Sequence, residues 1–289
     1  MEKYNFNAFH FFTGSFRSPL RFILLPALII LYSCNEVPVI LPTNVDPGGN
    51  ATTQNVLIEE YTGVRCQNCP AGAQLLEELK TIHGDRLTIL SIHGGFFAQP
   101  TNKENKLKLD NTYGQQLINV FNQPQGYPSA MIDRKIFDGQ SSLFLGGNFW
   151  AGYVDQEKTK SPKVRIEVSN TLDMLQRKLN VSATLIGLAD LSAQTILLSL
   201  ALAENKIKDA QLTPTGVDTN YVHRHVLRTF FGNVLGNTIE PITLNNAKSY
   251  NFSLTLSSDW NIDQLSIVAF IHKSSPSYEV IQVVEKNIR

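Results

Sequence analysis

One short stretch, EEYTGVRCQNCP at residues 59–70, constrains this chain more than any other. The apolar run Val56-Leu57-Ile58 before it predicts a strand. Pro70 suits the first turn of a helix, because its missing N–H would be unpaired there anyway. The spacing therefore places both members of a Cys-x-x-Cys pair, Cys66 and Cys69, at the N-terminus of a helix.

This position favours thiol chemistry. The positive end of the helix dipole stabilises a thiolate, and Arg65 adds a neighbouring positive charge. Cys66 lies nearer the loop and is expected to be more exposed, so we interpret it as the nucleophile and Cys69 as the resolving thiol. Two alternatives stay open: an inert structural disulfide, or half of a zinc site. A zinc site with four thiolates would need a second Cys-x-x-Cys, and the sequence has only three cysteines.

The third cysteine, Cys34, follows a segment typical of an export signal. Basic residues are scattered through the first 21 positions, and the apolar run at 22–32 is too short to span a bilayer comfortably. It ends in Leu31-Tyr32-Ser33-Cys34, which resembles a bacterial lipobox, although Tyr32 departs from the usual pattern. We predict a lipoprotein signal peptide at 1–33, a lipid on Cys34 and a Pro- and Gly-rich tether over 34–54. The alternative is an uncleaved anchor or an ordinary signal peptide.

Charge composition narrows the classes of partner. Lys and Arg number 25, and Asp and Glu also number 25, so no basic surface for nucleic acid is indicated. We expect no nucleic-acid partner and no cofactor. The expected partners are the membrane, through the lipid on Cys34, and either exported client proteins or a surface partner.

Residues 55–160 have the alternating pattern of an α/β unit. The expected strands cover 55–61 and 86–93, and a third follows Pro128 and continues as a hairpin at 134–137. The expected helices cover 70–83, 113–121 and 144–160.

The order strand, loop, Cys-x-x-Cys, helix, and later a loop proline before a strand resembles the thioredoxin family. The resemblance implies that Pro128 is cis and lies against the cysteines, and that residues 94–120 form an insertion. It also implies that Glu60, six positions before Cys66, is buried and assists proton transfer. Alternatively, Glu60 is a surface acid at a strand end, and His93, which ends the next strand, is either near the thiols or simply a satisfied strand-end histidine.

Residues 163–289 change character, because helical periodicity gives way to short alternating runs. We predict an immunoglobulin-like β-sandwich with strands at 164–169, 178–186, 195–203, 250–256, 265–272 and 280–285. Residues 213–240 are expected to be a polar segment that lies outside the strands and connects two of them. If its centre is extended, His223 and His225 face the same side as two ring donors for a metal, but no third ligand is evident, and a solvated or partner-facing loop is the alternative.

The whole arrangement resembles a family of Bacteroidetes outer-membrane lipoproteins that join a thioredoxin-like domain to a C-terminal β-sandwich. The matching runs are Glu-Tyr-Thr-Gly with Cys-x-x-Cys-Pro at 60–70, Tyr127-Pro128-Ser129, His225-Val226-Leu227-Arg228, and the ending at 268–282. The resemblance predicts an outer-membrane location. Two functions remain open: a tethered thiol–disulfide oxidoreductase acting on exported proteins, or a binding lipoprotein whose cysteine pair is structural.

Overall fold

The structure, a computed structural model, describes residues 53–101, 105, 109 and 112–289. The predicted signal peptide, the lipidation residue Cys34 and nearly all of the tether lie outside the described residues. The helices are α1 (Cys69–His83), α2 (Thr112–Phe121) and α3 (Gly147–Lys158). The strands are β1 (Val56–Thr62), β2 (Leu87–His93), β3 (Ser129–Ile132), β4 (Val164–Asp173), β5 (Lys178–Gly187), β6 (Ile196–Glu204), β7 (Ile207–Lys208), β8 (Gln211–Thr213), β9 (Gly216–Asp218), β10 (Val222–His223), β11 (Val226–Phe230), β12 (Asn237–Thr238), β13 (Ala247–Thr255), β14 (Leu265–Lys273) and β15 (Val280–Asn287).

The first half builds the expected α/β unit around β1. Strand β1 pairs in parallel with β2 and antiparallel with β3. All residues of β1 and β2 are buried, which agrees with their continuous apolar character, because helices cover both faces of the sheet. Helices α1 and α3 share one apolar cluster with the sheet, and α2 shares another.

The predicted hairpin strand at 134–137 is wrong. Asp133 and Arg134 have positive φ angles of 46° and 49°, so the chain leaves the extended conformation directly after β3. The reason is a buried ion pair: Nε and Nη2 of Arg134 each donate to a carboxylate oxygen of Glu59 at 2.7 Å. The guanidinium also lies 4.9 Å from the ring centre of Phe121 and 5.0 Å from that of Phe270. A buried charge requires a partner of opposite charge, and the turn after β3 places the guanidinium of Arg134 next to the carboxylate of Glu59.

The strand prediction for the second half is confirmed for its six longest strands, which appear as β4, β5, β6, β13, β14 and β15. Strands β13, β5 and β4 form a three-stranded antiparallel sheet. Its apolar face packs against β6, β14 and β15 in the largest apolar cluster of the described residues. The mixed α/β class with a strand-rich second half is confirmed, while the immunoglobulin-like character of the sandwich stays a prediction.

Residues 213–240 are not only a polar connection between strands. They contain β11, whose five residues are all buried. Strand β11 pairs antiparallel with β6 and in parallel with β2, at Val226 and Ser91. It thereby joins the strands of both halves into one eight-stranded sheet, in the order β15, β14, β6, β11, β2, β1, β3, with β12 also paired to β6. The domain limits 55–160 and 163–289 stay predictions, but the sheet itself runs across them.

The described part of the chain contains three α-helices, α1, α2 and α3. None of the helices in that part of the chain combines the length and the apolar character that a span requires.

Candidate redox site

Cys66 and Cys69 form a disulfide at the start of α1. The two sulfurs are 2.08 Å apart and the Cα atoms 5.3 Å apart. Cys69 is the first residue of α1, and its backbone N–H donates to the carbonyl of Cys66 at 3.2 Å. The bond therefore lies at the positive end of the helix dipole, as the sequence predicts.

Both cysteines are buried, although Cys66 is expected from the sequence to be the more exposed of the two. Only 4% of Cys66 is exposed, and only 2% of Cys69. Two segments that are distant in sequence cover the loop before the helix. On one side, the backbone N–H of Arg65 donates to the carbonyl of Phe97 at 2.8 Å. On the other, the N–H of Leu212 donates to the carbonyl of Val64, also at 2.8 Å.

Arg65 itself turns toward the segment at 96–100. Its guanidinium donates twice to the carbonyl of Pro100, through Nε at 3.0 Å and Nη2 at 2.6 Å. It also lies over the ring of Phe96, 5.6 Å from the ring centre. The positive charge next to Cys66 in sequence is thus held by this segment, and Phe96, which is 62% exposed, forms an aromatic rim beside the site.

Glu60 and Pro128 meet at Gly72, one turn after Cys69 in α1. A Cβ atom at Gly72 would lie 2.6 Å from Cγ of Pro128 and 3.2 Å from Oε1 of Glu60. Only a residue without a side chain lets the helix approach both groups this closely. The Tyr127–Pro128 peptide bond is cis. The structure thus brings the predicted proline and glutamate together against the helix that begins at Cys69.

Glu60 is buried, with 1% of the residue exposed. Burial raises the pKa of its carboxyl from 4.5 to about 7, and the hydrogen bond from Ser91 to Oε2, at 3.2 Å, opposes part of this rise. The other oxygen, Oε1, makes no hydrogen bond within the described residues. Glu60 also lines a small cavity of about 20 Å³ together with Glu77, Tyr221 and His225. A cavity of this size and polarity accommodates one water molecule.

The three histidines considered from sequence separate into different environments. His93 is buried, and its ring centre lies 5.6 Å from that of His223. Burial lowers the pKa of both imidazoles, that of His223 to about 4, so both are neutral at physiological pH. His225 has a positive φ of 54° and contacts Glu77 instead, at 3.0 Å from Nε2 to Oε1. The extended conformation that would place His223 and His225 on one face is therefore not present, because the backbone departs from it at His225, between β10 and β11.

Sequence reasoning missed Gln211. Its side-chain amide nitrogen donates to three backbone carbonyls, those of Cys66 at 2.9 Å, Gly63 at 3.2 Å and Leu212 at 3.0 Å. Gln211 lies 145 residues after Cys66, in a stretch without periodicity or motif, so no local signal marks it. Only the closure of the eight-stranded sheet brings it to the cysteine loop.

Comparison with solved structures shows that the fold occurs elsewhere. HBP35 of Porphyromonas gingivalis aligns with a TM-score of 0.63 at 18% identity, over 82% of this chain and 76% of that one. The protein AGR_C_4864 from Agrobacterium tumefaciens aligns with a TM-score of 0.53 at 11% identity, over 82% of this chain and 96% of that one. A domain of the outer membrane lipoprotein Omp28 from Porphyromonas gingivalis reaches a TM-score of 0.32 at 21% identity, over 45% of this chain and 91% of that one. Among curated proteins, none matches the sequence of this chain.

Sequence comparison with protein families is more specific. The family described as outer membrane protein Omp28 matches residues 114–289, which is more than half of the chain. This match confirms the predicted outer-membrane location. The chain belongs to the Omp28 family of outer membrane proteins.

Proposed function

We propose that this chain is a thiol–disulfide oxidoreductase of exported proteins, held at the outer membrane by a lipid on Cys34. The observation that carries the proposal is the disulfide at the N-terminus of α1 with the buried carboxyl of Glu60 packed against the same helix. A disulfide that served only as a staple would not need a buried acid packed against the helix that it starts. Burying a carboxyl is costly, and such groups concentrate where proton transfer is required.

The proposed exchange starts from the oxidised protein. A client thiolate attacks Sγ of Cys66, a client–Cys66 bond forms, and the Cys66–Cys69 bond breaks. The electron pair of the broken bond stays on Sγ of Cys69, which takes up a proton. A second client thiolate then attacks the client sulfur and releases Cys66, so that the client gains a disulfide and the protein gains two electrons. Run in reverse, Cys66 is the attacking thiolate and Cys69 the resolving thiol.

Glu60 has a role in both directions. A group exchanges protons most effectively when its pKa lies near the working pH, and the pKa of Glu60 is about 7. In the forward direction its carboxyl is the proton donor for the Cys69 thiolate, and in reverse its carboxylate is the acceptor. Pro128 and Gly72 position the carboxyl by fixing the distance between α1 and the loop before β3.

A trapping experiment tests the proposal. The Cys69→Ser protein should accumulate mixed disulfides with clients in the cell envelope, because no thiol resolves them. Cys66→Ser is the matched control and should trap nothing. If neither variant captures a protein that is released by reductant, the oxidoreductase function is rejected.

A second candidate is a binding lipoprotein in which the disulfide is structural. The specific observation in its favour is the burial of both cysteines under Gln211 and Leu212. The reduction potential separates the two functions, since structural disulfides lie below about −300 mV and labile ones above. A potential below that limit, together with failure to trap clients, would select the binding lipoprotein.

The lipid anchor is part of the proposal. Cys34 follows the lipobox-like run Leu31-Tyr32-Ser33. The Omp28 family is described as a family of outer membrane proteins, which agrees with such an anchor. Two or more acyl chains on one cysteine give stable attachment, because each buried CH₂ contributes about 0.8 kcal/mol.

A further inference from the structure

We propose that Gln211 is a positioning residue of the redox site, which fixes the Cys66 loop under the segment 209–213 so that thiols reach the disulfide only when this segment moves away. The segment would control the access of client thiols to the Cys66–Cys69 disulfide, and this role rests on the proposed oxidoreductase function.

The side chain of Gln211 fits closely against the cysteine loop. The residue is 2% exposed, and one amide nitrogen is shared among the carbonyls of Gly63, Cys66 and Leu212. Two of these carbonyls bracket the turn that Cys66 closes with its own N–H to Gly63, at 3.0 Å. The side chain therefore holds both ends of the turn that presents the sulfur. Removing it would break the side-chain link between this turn and the segment, although the carbonyls of Gly63 and Cys66 keep the backbone donors of Cys66 and Cys69.

Contacts other than those of the Gln211 side chain also hold the segment 209–213 in place. The N–H of Leu212 donates to the carbonyl of Val64 at 2.8 Å, which adds a backbone link beside the side-chain links of Gln211. On the far side, the amide of Asn105 donates to the carbonyl of Ala210 at 2.9 Å. Ile207, just before the segment, packs with Val64, Leu109 and Val226 in a small apolar cluster. The segment is thus held both by the cysteine loop and by Asn105, and Ile207 beside it by Leu109.

Access to the disulfide is also restricted sterically. Thiol–disulfide exchange requires a thiolate to approach the attacked sulfur, and access limits the rate. With only 4% of Cys66 exposed, the closed arrangement leaves little surface for that approach. Directly beyond the segment, residues 214–220 are exposed, so the cover ends in a solvent-facing hairpin formed by β8 and β9. Local opening of such a short, edge-placed element costs less than global unfolding.

The test uses the oxidised full chain and dithiothreitol as the probe. One dithiothreitol thiolate bonds to Sγ of Cys66, the Cys66–Cys69 bond breaks, and Cys69 takes up a proton. The second dithiothreitol thiol then displaces Cys66, so that the reagent leaves as its cyclic disulfide and the protein gains two electrons and two protons.

Gln211→Met keeps the side-chain length and removes the donor. We expect this variant to be reduced at least about tenfold faster than wild type. This factor corresponds to a decrease of about 1.4 kcal/mol in the free energy needed to open the segment. Its reduction potential should also shift, because Gln211 contacts the backbone of Cys66 itself.

Gln282→Met is the matched control. Gln282 is also a buried glutamine that links backbone groups, accepting from the N–H of Asn55 at 3.0 Å and donating to the carbonyl of Thr53 at 2.9 Å. These groups precede β1, whereas Cys66 follows it. The control should lower the stability of the fold while leaving the reduction rate and the potential within about twofold of wild type.

Asn105→Ala keeps the proposal testable if Gln211→Met does not fold. It removes the half-buried hydrogen bond to Ala210 and the two that Oδ1 of Asn105 accepts from Thr101, none of which involves the cysteine loop directly. We expect reduction several-fold faster than wild type. Wild-type rates in both variants, or equal acceleration by Gln282→Met, would overturn the proposal. If both variants are reduced faster but the Cys69→Ser protein traps no client, the role of the segment in covering the disulfide stands and only the oxidoreductase function is rejected.

Discussion

Glu60→Gln gives the sharpest quantitative prediction, because the cost of burying this carboxyl can be worked out from its pKa. The pKa of Glu60 is raised by burial from 4.5 to about 7, and the group is fully enclosed. Each pKa unit is worth about 1.36 kcal/mol. When the pH is well above 7, the charged carboxylate therefore destabilises the fold by about 3 kcal/mol.

The sign follows from proton binding. Between about pH 4.5 and pH 7 the unfolded chain has lost the proton of Glu60 and the folded chain still holds it. Stability due to this group therefore falls as the pH rises through that window and is constant above it. The penalty is about 1 kcal/mol at pH 5 and about 3 kcal/mol at pH 8. Glutamine carries no charge at either pH and escapes the penalty.

The assay is urea unfolding of oxidised wild type and Glu60→Gln at pH 5 and pH 8. Comparing the two pH values cancels any packing change that the amide introduces. Relative to wild type, the variant should gain about 2.5 kcal/mol more at pH 8 than at pH 5. A difference below about 1 kcal/mol would refute the assignment of a strongly raised pKa to Glu60.

Glu77→Gln is the control of opposite sign. Glu77 lies on α1 and lines the same cavity, but the hydrogen bond with His225 lowers the pKa of its carboxyl. Its contribution to stability is present at neutral pH and is lost as the pH falls through the lowered pKa. The variant should therefore lose stability relative to wild type by a similar amount at pH 8 and pH 5, and this loss should shrink only when the pH falls below 4.5.

Three further predictions concern the anchor, the helix contact and the buried ion pair. Cys34→Ala should move the protein out of the membrane fraction or block its processing; unchanged mass and unchanged retention would reject the lipid. Gly72→Ala should destabilise the fold by about 1–3 kcal/mol in urea unfolding, because its Cβ would overlap the ring of the facing proline at 2.6 Å. Gly152→Ala, in α3 with nothing within 4 Å, should instead be neutral or stabilising by up to about 1 kcal/mol. Glu59→Gln should cost about 3–5 kcal/mol by leaving the buried charge of Arg134 without its carboxylate, and a loss below about 1 kcal/mol in the same assay would contradict the role of the pair.

The sequence alone determined the local frame of the redox site. A short apolar run, a turn, Cys-x-x-Cys and Pro70 are local signals, and they predict the strand β1, the helix α1 and the cysteines between them. The alternating runs after residue 163 determined the six long strands in the same way, since side chains on a half-buried sheet must alternate. The resemblance to thioredoxins supplied what local patterning lacks, namely the pairing of Glu60 and Pro128 with this helix.

Tertiary structure decided how the two halves meet. Strand β11 is only five residues long and follows a stretch rich in polar residues, so periodicity does not reveal it. Its place between β2 and β6 depends on pairing partners more than 20 residues away in either case. The same is true of the turn at Asp133 and Arg134, where the need to pair a buried guanidinium with Glu59 overrides the expected hairpin.

Exposure of the cysteines was likewise decided by distant residues. From sequence, a cysteine beside a glycine-containing loop is expected to face solvent, and nothing near Cys66 contradicts that expectation. Gln211 and Leu212 reach it only because β6 and β11 join the sheet and carry the intervening segment across the start of α1. Local interactions determined where the disulfide forms. Long-range hydrogen bonds to the backbone of the cysteine loop, from the side chain of Gln211 and from the backbone of Leu212, determined how far it is covered, because such bonds depend on the closed sheet and leave no periodic mark in the sequence.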